Sequence, residues 1–307
     1  MAEFQTSGIS SRRTNFAVRN AFTSAQTGIR KEVLYAIVLC ALIATASTLL
    51  FFDSDQVNIN LPLAEKDTTR KVVRSAAIYA GKGTWNESVV ALENLFRWLN
   101  YSVVLVDGAF IMDRGLENFS IFCVPGGDMY EYSVEITPNG IRIIQGFIGR
   151  GGGYLGICGG SYFAAEKVVW MDRQLPMNSL GFFKGTAEGP INQIVPYPNY
   201  TVSKVDIVDR GHPVSSSLPE YYWMLYYWGP FYRLEVETNV AILGKYSDVE
   251  LPAVLVVNYH NGRVFLVGGH PEIEENSLRD GGRFAESLDD PETDWPLLVA
   301  AVKWLEG

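Results

Sequence analysis

The stretch Gly151-Gly152-Gly153-Tyr154-Leu155-Gly156-Ile157-Cys158-Gly159-Gly160 decides the fold. Gly153–Ile157 is a short apolar run that predicts a strand ending directly in Cys158, and Tyr162–Val169 has the spacing expected of the helix that follows. A strand, a sharp turn of small residues and a helix form an elbow that presents a nucleophile at the strand's carboxyl end. The helix amino terminus would stabilise a thiolate there. Taken alone, a cysteine such as Cys158 is more often a buried structural one. The glycines on both sides favour function.

Working outward, short β-branched runs alternate with helical stretches, the pattern of a parallel sheet covered on both faces. Val72–Ala80 predicts the first strand, followed by Gly81-Lys82-Gly83-Thr84, which lacks the spacing and ending of a phosphate-binding loop. Glu87–Leu99 has helical periodicity. Strands are expected at Ser102–Val106 and Ser120–Val124, with a helix at Ile141–Ile148. Later strands are expected at Thr201–Val208, Val240–Tyr246, Ala253–Asn258 and Arg263–Val267, with Asn261-Gly262 as a hairpin turn. Trp295–Leu305 predicts a closing amphipathic helix.

Two further strand ends carry chemistry. His270-Pro271-Glu272 follows a strand and the pair Gly268-Gly269. A histidine base needs a carboxylate to fix its tautomer and steady its positive charge, and an acid two residues on can meet it. The alternative is a surface His-Pro turn. Val124-Pro125-Gly126-Gly127-Asp128 ends another strand, at the sheet edge where open α/β folds bind ligands. The amides of Gly127 and Gly159 could together form an oxyanion hole. An ordinary strand-to-loop turn is the plainer reading.

Gly-Ile-Cys-x-Gly at 156–160, Gly-Gly at 126–127 and His-Pro-Glu at 270–272 resemble class I glutamine amidotransferase domains. The wider match is similar to one branch, the domain at the amino terminus of eukaryotic biotin–protein ligases and in many stand-alone proteins. Gly151–Cys158, Phe183-Lys184-Gly185-Thr186-Ala187-Glu188-Gly189-Pro190 and Gly268–Glu272 resemble it in order, over about residues 71–275. The resemblance implies a flavodoxin-like sandwich with a mostly parallel sheet, and Cys158 as nucleophile, His270 as base and Glu272 as orienting acid. Glutamine-hydrolysing members carry Gln four residues after the nucleophile, and this chain has Tyr162 there. Glutamine hydrolysis is therefore not expected. With the chain ending at Gly307, biotin transfer is not expected either.

Eight aromatics crowd Tyr221–Tyr232, including Tyr227 and Trp228. Such density means core packing or the wall of a cleft, and Gly229-Pro230 would bend the chain there. Asp128, Tyr162, Tyr227 and Trp228 are the candidate substrate contacts. Cys123 lies in an apolar strand and is expected to be a core thiol. Cys123 and Cys158 could also form a single bridge, which would occupy the nucleophile. His212 and His260 are expected at the surface. No His/Cys/Asp/Glu grouping has metal-ligand spacing, and no cofactor is implied.

Composition sets the remaining bounds. The chain has 307 residues, 48% hydrophobic and 19% charged, ample for a core. Its net charge of −9 is uneven, because residues 1–32 hold five cations against two acids and the remainder is correspondingly more acidic. An acidic body offers no face to a nucleic-acid backbone. Val33–Phe52 is uncharged and long enough for a bilayer core, predicting a transmembrane anchor after a short cytoplasmic tail (1–32). A cleaved signal sequence, with Ala44-Thr45-Ala46 resembling a cleavage site, and a core helix are the alternatives. Residues 53–70 read as a linker, and 71–307 as one domain facing outside. Asn-x-Ser/Thr triplets at Asn86, Asn100, Asn118 and Asn199 agree with an outside location. The function classes that remain are a cysteine hydrolase or amidase on a small-molecule or peptide-like substrate, a binding module retaining the site geometry, and a redox sensor at Cys158.

Overall fold

The structure, a computed structural model, describes residues 74–235, 239–275, 277–288, 290 and 293–307. The expected membrane span 33–52 and linker 53–70 lie outside the described residues. No helix among the described residues is long and apolar enough to cross a membrane.

Residues Arg70–Gly307 form one compact α/β unit. Its elements are β1 (Ser75–Tyr79), α1 (Asn86–Trp98), β2 (Ser102–Val106), α2 (Gly108–Arg114), β3 (Ile121–Val124), α3 (Met129–Gly149), β4 (Gly153–Ile157), α4 (Gly159–Ala164), β5 (Ala165–Trp170), β6 (Arg173–Gln174), β7 (Phe183–Gly189), β8 (Thr201–Ile207), β9 (Tyr221–Tyr226), β10 (Phe231–Leu234), β11 (Val240–Tyr246), β12 (Leu251–Tyr259), β13 (Gly262–Val267) and α5 (Trp295–Leu305).

A nine-stranded sheet runs β2-β1-β3-β4-β13-β12-β11-β8-β9. From β2 to β13 every pairing is parallel. From β13 to β9 every pairing is antiparallel. The sheet is therefore mixed, which corrects the expectation of a mostly parallel one. Connection length explains the change: parallel neighbours need a crossover of a dozen residues or more, whereas β12 and β13 are joined by His260-Asn261 alone. A second, four-stranded sheet has the order β10-β7-β5-β6.

Period-two alternation sends the parallel strands into two cores. Ala76, Ile78, Cys123, Leu155, Ile157 and Val267 pack with Leu92 and Phe96 of α1 and Leu298 of α5. Ala77, Tyr79, Phe122, Tyr154 and Leu266 face the other way, against Ile111 of α2, Ile144 of α3 and Phe163 of α4. Helices thus cover both faces of the sheet, as the alternating pattern predicted.

Two local expectations are revised and a third gains detail. The predicted helix Tyr162–Val169 ends at Ala164, and Ala165–Trp170 is a strand paired parallel with β7. Its Val-Val-Trp ending suits a pleated surface better than a helix. The helix expected at 141–148 begins at Met129 and continues across Thr137-Pro138, where Thr137 takes φ 61°. The crowded aromatics of 221–232 form two strands, β9 and β10, and the chain bends between them with Trp228 at φ 65°.

Candidate functional site

Cys158, His270 and the Gly126-Gly127 pair follow the carboxyl ends of neighbouring strands β4, β13 and β3, so the sheet itself brings them together. Cys158 sits at φ 47° and ψ −104°. A side chain is disfavoured in that region, and the surrounding contacts hold it there. Its amide donates to Val267 O at 2.9 Å, and its carbonyl accepts from Ser161 N and Tyr162 N at 3.0 and 2.9 Å. The elbow also needs glycine at close range. A Cβ on Gly160 would lie 2.0 Å from Val124 O, and one on Gly159 would lie 2.3 Å from Gly127 O.

His270 and Glu272 are fully buried. His270 Nδ1 lies 2.9 Å from Glu272 Oε1, the short-range pairing expected of the His-Pro-Glu turn. His270 is anchored through its backbone as well, since its amide donates to Leu225 O of β9 at 2.8 Å. Burial works against the charged imidazole, but the charges of Cys158 and Glu272 favour it and prevail, pushing its pKa up to about 10. Nε2 is enclosed and has no hydrogen-bond partner among the described residues. The thiol instead donates to the carbonyl of Tyr227 at 3.6 Å. As a thiol Cys158 rests on Tyr227 O, and its charge favours the imidazolium only once its proton has left.

Ser88 of α1 joins the constellation without any forewarning in the sequence. Its hydroxyl donates to Glu272 Oε1 at 2.6 Å and accepts from Gly126 N at 2.9 Å. One buried serine thus ties the carboxylate beneath His270 to the glycine loop beside it. Trp85 is the second such residue, edge-on to the His270 ring at 5.0 Å. A Cβ on Gly126 would meet His270 Cε1 at 2.5 Å, so this glycine gives the imidazole its room.

Gly127 and Gly159 adjoin: a Cβ on Gly159 would be 2.8 Å from Gly127 N. The loop after β1 pairs with Gly127 through its neighbours, Trp85 N to Gly126 O and Asp128 N to Gly83 O, both 2.8 Å. That pattern leaves the Gly127 amide out of the ladder. The Gly159 amide is the first of α4 and has no intrahelical partner by position.

These groups open into a cavity of about 550 Å³, with Cys158 and His270 in its wall. All four expected substrate contacts line it: Asp128, Tyr162, Tyr227 and Trp228. Their states differ. Tyr162 is buried, and its hydroxyl is committed to Trp228 O at 3.0 Å. Asp128 stands exposed at the mouth and caps α3, accepting from Tyr130 N at 2.9 Å. Tyr227 packs edge-on to Trp85 at 5.3 Å and stacks on Phe284 at 5.1 Å.

Cys123 and Cys158 are both free, so the possible bridge between them is not made. Cys123 is wholly buried, and burial pushes its thiol pKa well up, with Glu272 adding to the effect. His260 is exposed at the β12–β13 turn, whereas His212 is half-buried against Trp304 at 5.1 Å. Among the described residues no group of three or more His, Cys, Asp or Glu could hold a metal ion.

A family model described as "Biotin-protein ligase, N terminal" matches residues 75–293, most of the chain and all of the site. The chain belongs to this biotin–protein ligase N-terminal family. It is 27% identical over 213 residues to a biotin–protein ligase of Schizosaccharomyces pombe, covering 64% of this chain and 33% of that one. It is 30% identical over 126 residues to an uncharacterised protein of Chlamydia muridarum, covering 37% of this chain and 48% of that one. This family member therefore spans a third to a half of the relatives' lengths. Solved structures resembling it include a ThuA-like protein of Bacteroides uniformis, with TM-score 0.49, 15% identity and coverage of 83% of this chain and 95% of that one. A glutamine amidotransferase of Thermotoga maritima gives TM-score 0.47 at 14% identity, covering 76% of this chain and 98% of that one.

Proposed function

We propose that this family member is a cysteine-nucleophile hydrolase or amidase acting on a small substrate other than glutamine. The observation that carries the reading is Cys158 held at φ 47° on an elbow beside the buried His270–Glu272 pair. Strain of that kind persists only where the surroundings enforce it, and it aims a side chain out of a strand end. A modest turn of the Cys158 side chain away from Tyr227 O would bring its proton to His270 Nε2, and sites without substrate are often loose in this way.

The steps follow from the groups in place. His270 Nε2 takes the thiol proton, Glu272 steadies the resulting imidazolium, and Sγ attacks the substrate carbonyl carbon. The carbonyl oxygen becomes an oxyanion that the Gly127 and Gly159 amides can receive. The C–N bond then breaks, His270 returns the proton to the leaving amine, and a thioester remains on Cys158. Water, deprotonated by His270, hydrolyses that thioester and restores the thiol. Tyr162 supports the exclusion of glutamine: its hydroxyl is already spent on Trp228 O, and it offers no amide donor–acceptor pair at that position.

The test is turnover of small chromogenic amides and esters by the purified chain. Release of the chromophore should vanish in Cys158→Ser and fall by about 10²-fold or more in His270→Ala. A second reading, a binding module that turns nothing over, draws on the resting thiol's bond to Tyr227 O. It would prevail if Cys158 supported neither turnover nor preferential alkylation.

The same proposal places the domain outside a membrane, anchored by residues 33–52. The uncharged 20-residue run and its positive amino-terminal flank support this. Protease added to intact cells should then digest the domain. Protection of the domain, or its recovery in the soluble fraction, would remove the anchor from the proposal.

A further inference from the structure

The cavity above Cys158 has charge of one sign at its mouth. Apart from the Cys158–His270 pair, its lining among the described residues has one charged side chain, Asp128, and no lysine or arginine. A helix amino terminus is the other common receptor for an anion. That of α3 opens on the cavity through Met129 and Tyr130. It is already occupied, because Asp128 Oδ1 accepts from Tyr130 N at 2.9 Å and Glu131 N at 3.4 Å. The cap neutralises the positive end that a ligand carboxylate would otherwise use.

The walls are aromatic. Trp170 meets Tyr197 at 6.1 Å, Tyr197 meets Trp228 at 4.6 Å, and Trp228 meets Tyr227 at 4.3 Å. Tyr227 meets Trp85 at 5.3 Å, and Trp85 meets the His270 ring at 5.0 Å. These contacts make one continuous run of rings from Trp170 to the imidazole. A cavity of about 550 Å³ is the size that encloses most of a small organic ligand.

We infer that the acyl group presented to Cys158 is uncharged and carries a flat aryl ring, with arylacetamides as the favoured class. This rests on the hydrolase reading for the position of the scissile bond and adds the chemistry of the group beyond it. A flat apolar group displaces water from the rings and gains their contact area. A carboxylate at the same place loses hydration and finds no lysine or arginine among the described lining residues to offset the loss. Asp128 does not make the cavity a cation site, because its carboxylate is engaged at the helix cap and stands in solvent.

The experiment is equilibrium binding to the intact chain carrying Cys158→Ser, read by quenching of tryptophan fluorescence. The ligands are a matched series: phenylacetamide and its 4-carbamoyl, 4-carboxy and 4-trimethylammonio derivatives. The charge in this series lies across the ring from the amide, away from His270 and the glycine amides. The two neutral ligands should bind within a few-fold of each other, and the 4-carboxy ligand at least about tenfold more weakly. Trp228→Ala should weaken the neutral ligands by a similar factor. Equal binding of the 4-carboxy and 4-carbamoyl compounds would overturn the inference. So would tenfold tighter binding of the cation, or no binding of any member. The ligand series needs no wall variant, so it decides the matter even where Trp228→Ala misfolds. Failure of the hydrolase reading looks different: neutral amides would bind with charge discrimination while wild-type Cys158 stayed inert to iodoacetamide.

Discussion

At the scale of single residues, the two cysteines make opposite demands that one reagent can read. Cys158 faces the cavity beside His270, and Cys123 is sealed in the sheet with its pKa pushed well up by burial. Iodoacetamide should modify Cys158 in the folded chain at near-neutral pH and leave Cys123 untouched until the protein is unfolded, as peptide mapping would show. Equal labelling of both would reduce Cys158 to an ordinary thiol. Ser88 makes a second case. Its hydroxyl serves two buried partners, so Ser88→Ala strands Gly126 N and deprives Glu272 Oε1 of a donor. The expected cost is about 1–3 kcal/mol in denaturant unfolding, with slower alkylation of Cys158 as the His270 support loosens. An unchanged midpoint would show that water replaces the hydroxyl. That Cys158, His270 and Glu272 would lie together was legible in the sequence, because each follows a strand end within a run of glycines. Ser88 was not, since it lies 184 residues from Glu272 and ordinary helix sequence surrounds it.

Elements were legible where periodicity and length agreed, and illegible where packing overruled local pattern. Ser102–Val106, Gly153–Ile157, Val240–Tyr246 and Trp295–Leu305 have the expected bounds because their apolar runs end at turn residues. The α4–β5 boundary was missed because both elements are short. A helix of six residues leaves no periodicity to detect, and β5 gains its identity from pairing with β7, remote in sequence. The mixed sheet was missed for a related reason, since strand direction depends on partners as well as on side chains. Two glycine substitutions test how closely the elements are held. Gly160→Ala should cost roughly 1–3 kcal/mol, because its Cβ would drive into Val124 O at 2.0 Å and distort the elbow. Gly146→Ala lies within α3, where the new Cβ would approach only the flexible end of Arg150 at 3.1 Å. It should stabilise by roughly 0.5–1 kcal/mol, the usual helical preference for alanine. Thermal or urea unfolding of the two variants should move in opposite directions. Equal shifts would mean that the elbow tolerates a side chain and is not held by close backbone contact.

At the scale of the whole molecule, acidity shapes stability. The net charge of −9 is accompanied by a set of buried acids in the segment that leads from the site to α5: Glu274, Glu275, Asp280, Asp290 and Asp294. Arg279 pairs with Glu274 at 2.5 Å. Glu275 is different, since its Oε1 has no hydrogen-bond partner among the described residues. Burial pushes its pKa up to about 8, and Asp290, Glu274 and Asp280 reinforce the shift. The folded state therefore holds this proton over a range in which the unfolded chain, near 4.5, has released it. Stability drawn from that difference is fully present below about pH 4.5 and is lost as pH rises through about 8. His270, also raised, contributes in the same sense, from 6.5 up to about 10. Asp206, whose pKa is lowered by Ser247 and Lys204, acts only at the acid end, where its contribution disappears as pH falls. Glu275→Gln removes the ionisation while keeping the shape. Near pH 4 the variant and the parent should unfold at nearly the same urea concentration, because both side chains are then largely neutral, folded or unfolded. At pH 8.5 the variant should be the more stable of the two, and the gap should open between about pH 4.5 and 8. Parallel pH profiles for the two proteins would show that Glu275 ionises in the folded state without cost, with solvent or a cation reaching its carboxylate.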